Sequence, residues 1–231
     1  MGKYIIILLI IVSSIFSVSC EDNQNRKIES VSKNNESVST KSVNTTKNKH
    51  EDQVVDYLNK KILIVYFSAA NLNDVDAVSG ATALGDKDGA TGTFAEYLQE
   101  KVGGDIAKIM PQHDYSTDYD ELHEIAHEEK DARVYPGFML DKNPENYDII
   151  FVGYPIWLYD MPRIMYTFFA RYDFKDKTII PFNTYGKSLD GGTYDKIREL
   201  EPDAIVADGL AVEGKSIDTK KEFVEKWVPE L

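Results

Sequence analysis

The chain has 231 residues, enough for one sizeable domain with extensions or two small ones. Its 42% hydrophobic and 11% aromatic content is that of a globular protein, which excludes a wholly disordered or fibrous chain. With 26 Lys and Arg against 39 Asp and Glu, the net charge is −13, so it lacks the cation surplus that neutralises a phosphate backbone. Nucleic acid is not an expected partner. The lone cysteine, Cys20, excludes an intramolecular disulfide and any Cys-rich metal or iron–sulfur site.

Met1-Gly2-Lys3 is a short positive start, and Tyr4 to Val12 is an unbroken apolar run. The run is shorter than the roughly 20 residues of a membrane span and fits a secretory h-region. Small polar residues from Ser13 to Ser19 lead to Cys20. Ser17-Val18-Ser19-Cys20 resembles the lipobox of bacterial lipoproteins, with Ser17 in the common Leu position and Phe16 one place earlier. The resemblance implies a signal peptide over 1–19, an acylated Cys20, and an extracytoplasmic, lipid-anchored place in the bacterial cell envelope. A plain signal peptide or an uncleaved anchor is the alternative. From 20 to 57 the chain is Asn, Ser, Thr, Lys and Glu without period, the composition of a disordered tether. Its coil would reach roughly 35 Å.

A folded domain is expected over 58–231. The apolar run Lys61 to Phe67 reads as a strand buried on both faces. Thr93 to Val102 has helical spacing and closes at Gly103-Gly104. Asp105 to Met110 is a second strand, Asp120 to Ala132 a charged helix, and Asp148 to Tyr154 a third strand stopped by Pro155. Met161 to Ala170 is helical and Lys177 to Phe182 is a fourth strand. A helix over Thr193 to Leu200, a weak strand over Ala204 to Val206 and a helix over Thr219 to Trp227 complete the chain. This alternation means βαβ units, hence an α/β fold with a parallel sheet covered on both faces.

Such sheets bind ligands beyond the carboxyl ends of the strands, at the switch point. Ser68 and Ala69 leave the first strand, and Gly89-Ala90-Thr91-Gly92-Thr93 opens the first helix. Hydroxyls and glycines there either cradle a phosphate with backbone N–H groups or simply form a loop and cap. Neither a Walker Lys nor a dinucleotide Gly pattern is present, which argues against ATP and NAD as resident cofactors. Gly153 to Asp160 places Trp157 and Tyr159 after the third strand, where an aromatic can stack on a planar ring or close the core. Asn183-Thr184-Tyr185-Gly186 follows the fourth.

Together, Ile64 to Ser68, Thr91 to Thr93, Asp118 to Leu122, Tyr147 to Trp157 and Pro181 to Thr184 resemble the flavodoxin superfamily, in family order. Within it they are similar to the group with a Pro-Ile-Trp loop after the third strand. The resemblance implies a three-layer doubly wound sheet of five parallel strands, order 2-1-3-4-5, and FMN as cofactor. By position, Ser68, Ala69, Thr91, Gly92 and Thr93 would hold the phosphate. Pro155, Ile156, Trp157, Leu158 and Tyr159 would line one side of the flavin ring, and Thr184, Tyr185 and Gly186 the other. The chain departs from the family pattern in two ways. An insertion from Ala69 to Ala90 splits the phosphate motif, and its Asn is missing where Gly92 runs into Thr93.

A rival motif is His123-Glu124-Ile125-Ala126-His127, formally the H-E-x-x-H of zinc proteases. It lacks a downstream His, and Leu122, Ile125 and Ala126 already give the helix a core face, so no metal site is expected and the His pair should lie on its polar flank. With no nucleophile motif, redox chemistry must come from a cofactor. The expected function is FMN-dependent electron transfer to a redox partner protein or a small-molecule acceptor. An NAD(P)H-dependent flavin or quinone reductase is the alternative; a zinc protease and a flavin-free binding module are more distant ones. No glycine lies among Trp157, Leu158 and Tyr159, so a rearrangement of this loop needing φ > 0 should be costly.

Overall fold

The computed structural model of the protein describes residues 57, 59–69, 75–76, 81–82, 89–116 and 118–228. Cys20, the signal peptide and the tether up to residue 56 lie outside them.

The central strands are β1 (Ile62–Tyr66), β4 (Asp105–Lys108), β7 (Ile149–Pro155) and β8 (Thr178–Tyr185). The fifth position is shared by β9 (Ile205–Val206) and β10 (Leu210–Glu213), which pair in turn with β8. All pairings in this sheet are parallel, in the spatial order β4-β1-β7-β8-β10. This is the expected 2-1-3-4-5 order, with β1 and β7 meeting at the switch point.

Period-2 alternation sends every central strand into two cores. Leu63, Val65 and Phe67 of the first strand join Ile150, Val152 and Tyr154 on one face. There they pack against α2 (Tyr119–Asp131), α3 (Arg163–Arg171) and α4 (Thr193–Leu200) through Leu122, Phe168 and Ile197. Ile62, Ile64 and Tyr66 join Phe151, Ile180 and Phe182 on the other face. That face is covered by α1 (Gly89–Val102) and α5 (Lys221–Trp227), through Phe94, Leu98 and Val224. Tyr57 is buried here too, its ring stacked on Phe151 at 6.3 Å, so the folded part includes one residue before the expected boundary.

Local signals explain most element ends. Gly103 and Gly104 stop α1 at φ 71° and 84°, and a Cβ on Gly104 would come within 2.6 Å of the Ile62 carbonyl. Asp118 caps α2, its Oδ1 accepting from the Asp120 and Glu121 amides at 3.0 and 3.1 Å. The second strand ends at Lys108, earlier than expected. Met110 instead opens β5 (Met110–Pro111), which pairs antiparallel with β6 (Phe138–Met139). Pro155 does not stop the third strand; it is its last residue, opposite Thr184. The final helix starts later than expected, after a 3-10 segment over Gly214–Lys220. Within the insertion, β2 (Val75–Asp76) and β3 (Ala81–Thr82) form a short antiparallel hairpin.

Candidate functional site

Three segments meet at the carboxyl edge of the sheet. The first is the exit of β1, where Phe67, Ser68 and Ala69 are all buried and the Phe67 amide donates to the Gly153 carbonyl at 2.9 Å. The second is the opening turn of α1. Gly89 starts it at φ 64°, and Thr91, Gly92 and Thr93 follow, all buried. Thr93 Oγ1 donates to the Gly89 carbonyl at 3.1 Å. That turn carries no acidic residue, whereas α2 has Asp120 and Glu121 in its first turn. The first four N–H groups of a helix have no partner within it, and the dipole places positive charge there. A turn of Gly, Ala and Thr without carboxylates therefore fits a phosphate.

The third segment joins the ends of β7 and β8. Thr184 Oγ1 and Thr91 Oγ1 share a buried 2.7 Å hydrogen bond, linking residues 93 apart in sequence. The Ile156 amide donates to the Thr184 carbonyl at 2.9 Å. The phosphate-side and ring-side residues expected from the sequence thus lie in one connected edge. Tyr185 and Gly186 are half-buried beyond Thr184.

After Ile156 the chain makes a tight turn. Trp157 N donates to Asp160 O at 2.8 Å and Asp160 N returns to Trp157 O at 2.9 Å. The two central residues, Leu158 and Tyr159, have φ of 51° and 61°. Consecutive left-handed residues define a type I′ turn, usually built from Asn and Gly. The glycine-free loop therefore already holds, at rest, the φ > 0 backbone that its composition makes costly. It persists because surrounding groups fix it. Asp160 Oδ1 accepts from the Met161 amide at 2.8 Å, the Tyr166 hydroxyl at 2.9 Å and the Lys196 ammonium at 2.7 Å.

The turn sorts its side chains. Trp157 is only 3% exposed, edge-on to Phe67 at 5.6 Å and to Tyr115 at 5.2 Å. Tyr159 is 72% exposed and Leu158 half-buried. Of the two aromatics, Tyr159 presents an open ring and Trp157 closes the core beneath it.

The residues around this turn, Tyr115, Glu129, Lys130 and Lys196, carried no motif in the sequence. Lys130 Nζ donates to the Leu158 carbonyl at 2.8 Å. Burial pushes the Glu129 carboxyl up to about 7, against the lowering effect of its Tyr115 hydrogen bond and of Arg163. Burial also raises the Tyr115 and Tyr166 hydroxyls far above the ordinary phenol, so both stay protonated donors. The His123 and His127 rings lie 4.6 Å apart on α2, His127 exposed and His123 half-buried. Among the described residues, no three His, Cys, Asp or Glu side chains are grouped to hold a metal ion.

A flavodoxin family model matches residues 61–231. A candidate flavoprotein from Bacteroides eggerthii is 30% identical, with a TM-score of 0.51 over 72% of this chain and 98% of that one. A second, from Bacteroides uniformis, is 26% identical, with a TM-score of 0.56 over 74% and 99%. A Lactobacillus acidophilus flavoprotein in complex with FMN shares the fold at 19% identity, with a TM-score of 0.51 over 69% and 97%. No curated protein matches the chain significantly. The match over 61–231, with the sheet order and strand-end site that accompany it, means that this chain belongs to the flavodoxin family.

Proposed function

We propose that the protein binds FMN non-covalently at the carboxyl ends of β1, β7 and β8 and serves as an electron-transfer flavoprotein. The observation that carries this reading is the buried Thr91–Thr184 hydrogen bond, which joins a helix whose first turn has no acidic residue to the end of β8. The FMN complex of the Lactobacillus relative supports the choice of cofactor. When bound, FMN supplies the redox chemistry that the side chains lack.

The chain's own residues bind and orient it. The amides of Thr91, Gly92 and Thr93, with Ser68 and Ala69, hold the phosphate. Pro155, Ile156, Trp157 and Leu158 border the ring, with Tyr159 at its open side and Thr184, Tyr185 and Gly186 opposite. Its Pro155-Ile156-Trp157 sequence supports membership of the Pro-Ile-Trp group of the family. Buried Phe67 and Trp157 exclude water from beneath the site. The surplus of carboxylates steers basic partners toward the protein. Those partners are a redox protein or a small-molecule acceptor, reached from an acylated Cys20 in the cell envelope.

A second reading, an NAD(P)H-dependent flavin or quinone reductase, is favoured by the β2–β3 hairpin inserted just before α1. Stopped-flow mixing of the FMN-loaded protein with NADH and with NADPH separates the two. An electron carrier leaves the visible flavin band unchanged over seconds; rapid bleaching by either nucleotide assigns the reductase.

A further inference from the structure

Helix α2 reaches the Trp157–Asp160 turn from behind. Lys130 Nζ donates to the Leu158 carbonyl, between the two left-handed residues. One position earlier, Glu129 is 8% exposed, and its Oε1 accepts from the Tyr115 hydroxyl at 2.9 Å. The Tyr115 ring in turn lies edge-on to Trp157. Among the described residues, Trp157 Nε1 and Glu129 Oε2 are buried without a hydrogen-bond partner. Both residues border one small cavity, with Lys130, Leu158 and Asp160 of the same contacts and Arg163 at its rim.

We propose that Lys130 and Glu129 are positioning residues that hold the Trp157–Asp160 turn in its left-handed form, and that the charge on Glu129 sets how firmly it is held. The second clause follows from hydrogen-bond inventory. An ionised Glu129 leaves a charged Oε2 buried in the cavity without a partner, whereas protonation removes that charge and keeps Oε1 as the acceptor of the Tyr115 hydroxyl. The groups facing Glu129 are Tyr115 from the preceding loop, Lys130 on its own helix, Arg163 from α3 and Asp160 from the turn. Lys130 fixes the Leu158 carbonyl, so the peptide between the two strained residues cannot rotate without losing that bond. That the turn faces FMN rests on the proposed function; that α2 holds it does not.

The test uses the full chain with Trp227→Phe, which leaves Trp157 as the sole tryptophan, and adds Lys130→Met, Lys130→Arg or Glu129→Gln. Trp157 emission and acrylamide quenching are read from pH 5 to 9 without flavin, and chymotryptic cleavage after exposed Tyr159 gives a second readout that needs no Trp227 variant. The expected result is one emission transition centred near pH 7, absent from Glu129→Gln. Lys130→Met should raise quenching, speed cleavage after Tyr159 and weaken FMN binding about tenfold, because the binding-competent turn becomes a minor population. Lys130→Arg should restore all three. A transition that survives Glu129→Gln, or a Lys130→Met protein unchanged in quenching and cleavage, overturns the proposal. If the parent fails to bind FMN, the proposed function falls while the flavin-free readouts still decide the role of α2.

Discussion

Gly153 lies in the middle of β7, opposite Phe182 of β8. A Cβ there would sit 2.1 Å from Phe182 Cζ and 2.3 Å from Cε2, so in Gly153→Ala the ring must retreat by about 1.5 Å to regain ordinary contact. The ring has nowhere easy to go. Phe182 is fully buried, and Phe94 of α1 stands 4.7 Å away, centroid to centroid, with Trp227 behind it at 6.4 Å. Overpacking of this kind costs roughly 1–3 kcal/mol, offset by about 0.5–1 kcal/mol for removing a strand glycine. A net loss of about 1–2 kcal/mol lowers the melting temperature by about 2–8 °C in a domain of this size. Thermal and urea melts of Gly153→Ala and of Gly153→Ala in a Phe182→Leu background measure both cost and cause. The alanine should be nearly neutral once the ring is gone, a coupling of at least about 1 kcal/mol. An equal loss in both backgrounds, or a melting shift under about 2 °C, would refute the steric reasoning.

Burial holds the Glu129 carboxyl near 7, above the ordinary 4.5, so the folded chain binds an extra proton between those values. This group's stabilisation is full below pH 4.5 and is lost as pH rises through 7. Urea melts from pH 5 to 8 should show a falling stability that Glu129→Gln makes shallower, the rest coming from Glu201, whose carboxyl burial also pushes up to about 7; a slope unchanged by Glu129→Gln would contradict it. Cys20→Ser should move the protein from the membrane to the soluble or secreted fraction, since acyl chains supply the attachment. A variant still in the membrane fraction would mean that residues 4–19 are the anchor.

The buried strands were legible because parallel strands covered on both faces leave continuous apolar runs such as Ile62–Tyr66, whereas their order came only from the resemblance to the flavodoxin superfamily. The fifth position was legible only in part: the weak strand expected over Ala204 to Val206 is β9, while β10 was not foreseen. Its two short pieces, Ile205–Val206 and Leu210–Glu213, are mostly half-exposed and break at Gly209, where a Cβ would meet Tyr194 at 2.5 Å. The site residues were legible as types in sequence order, but their grouping was not. The Thr91–Thr184 contact joins distant segments, and only the folded sheet brings them together. The left-handed form of the glycine-free turn was not legible for a related reason: Lys130, Tyr166 and Lys196, which bond Leu158 and Asp160, come from three different helices. Local composition prices the strain at Leu158 and Tyr159 without seeing what fixes it. Trp157 shows the same limit, since a tryptophan after a buried strand reads equally well as a stacking platform or as core.

FMN and riboflavin differ only in the phosphate, so titrating both into the purified protein tests the strand-end site most directly. The account predicts one FMN per chain, quenched flavin fluorescence, and FMN bound at least about a hundredfold tighter than riboflavin, from a few charge-assisted amide hydrogen bonds. Equal affinities would contradict the phosphate cradle at Thr91, Gly92 and Thr93, and unchanged fluorescence with both at saturating protein would contradict flavin binding altogether.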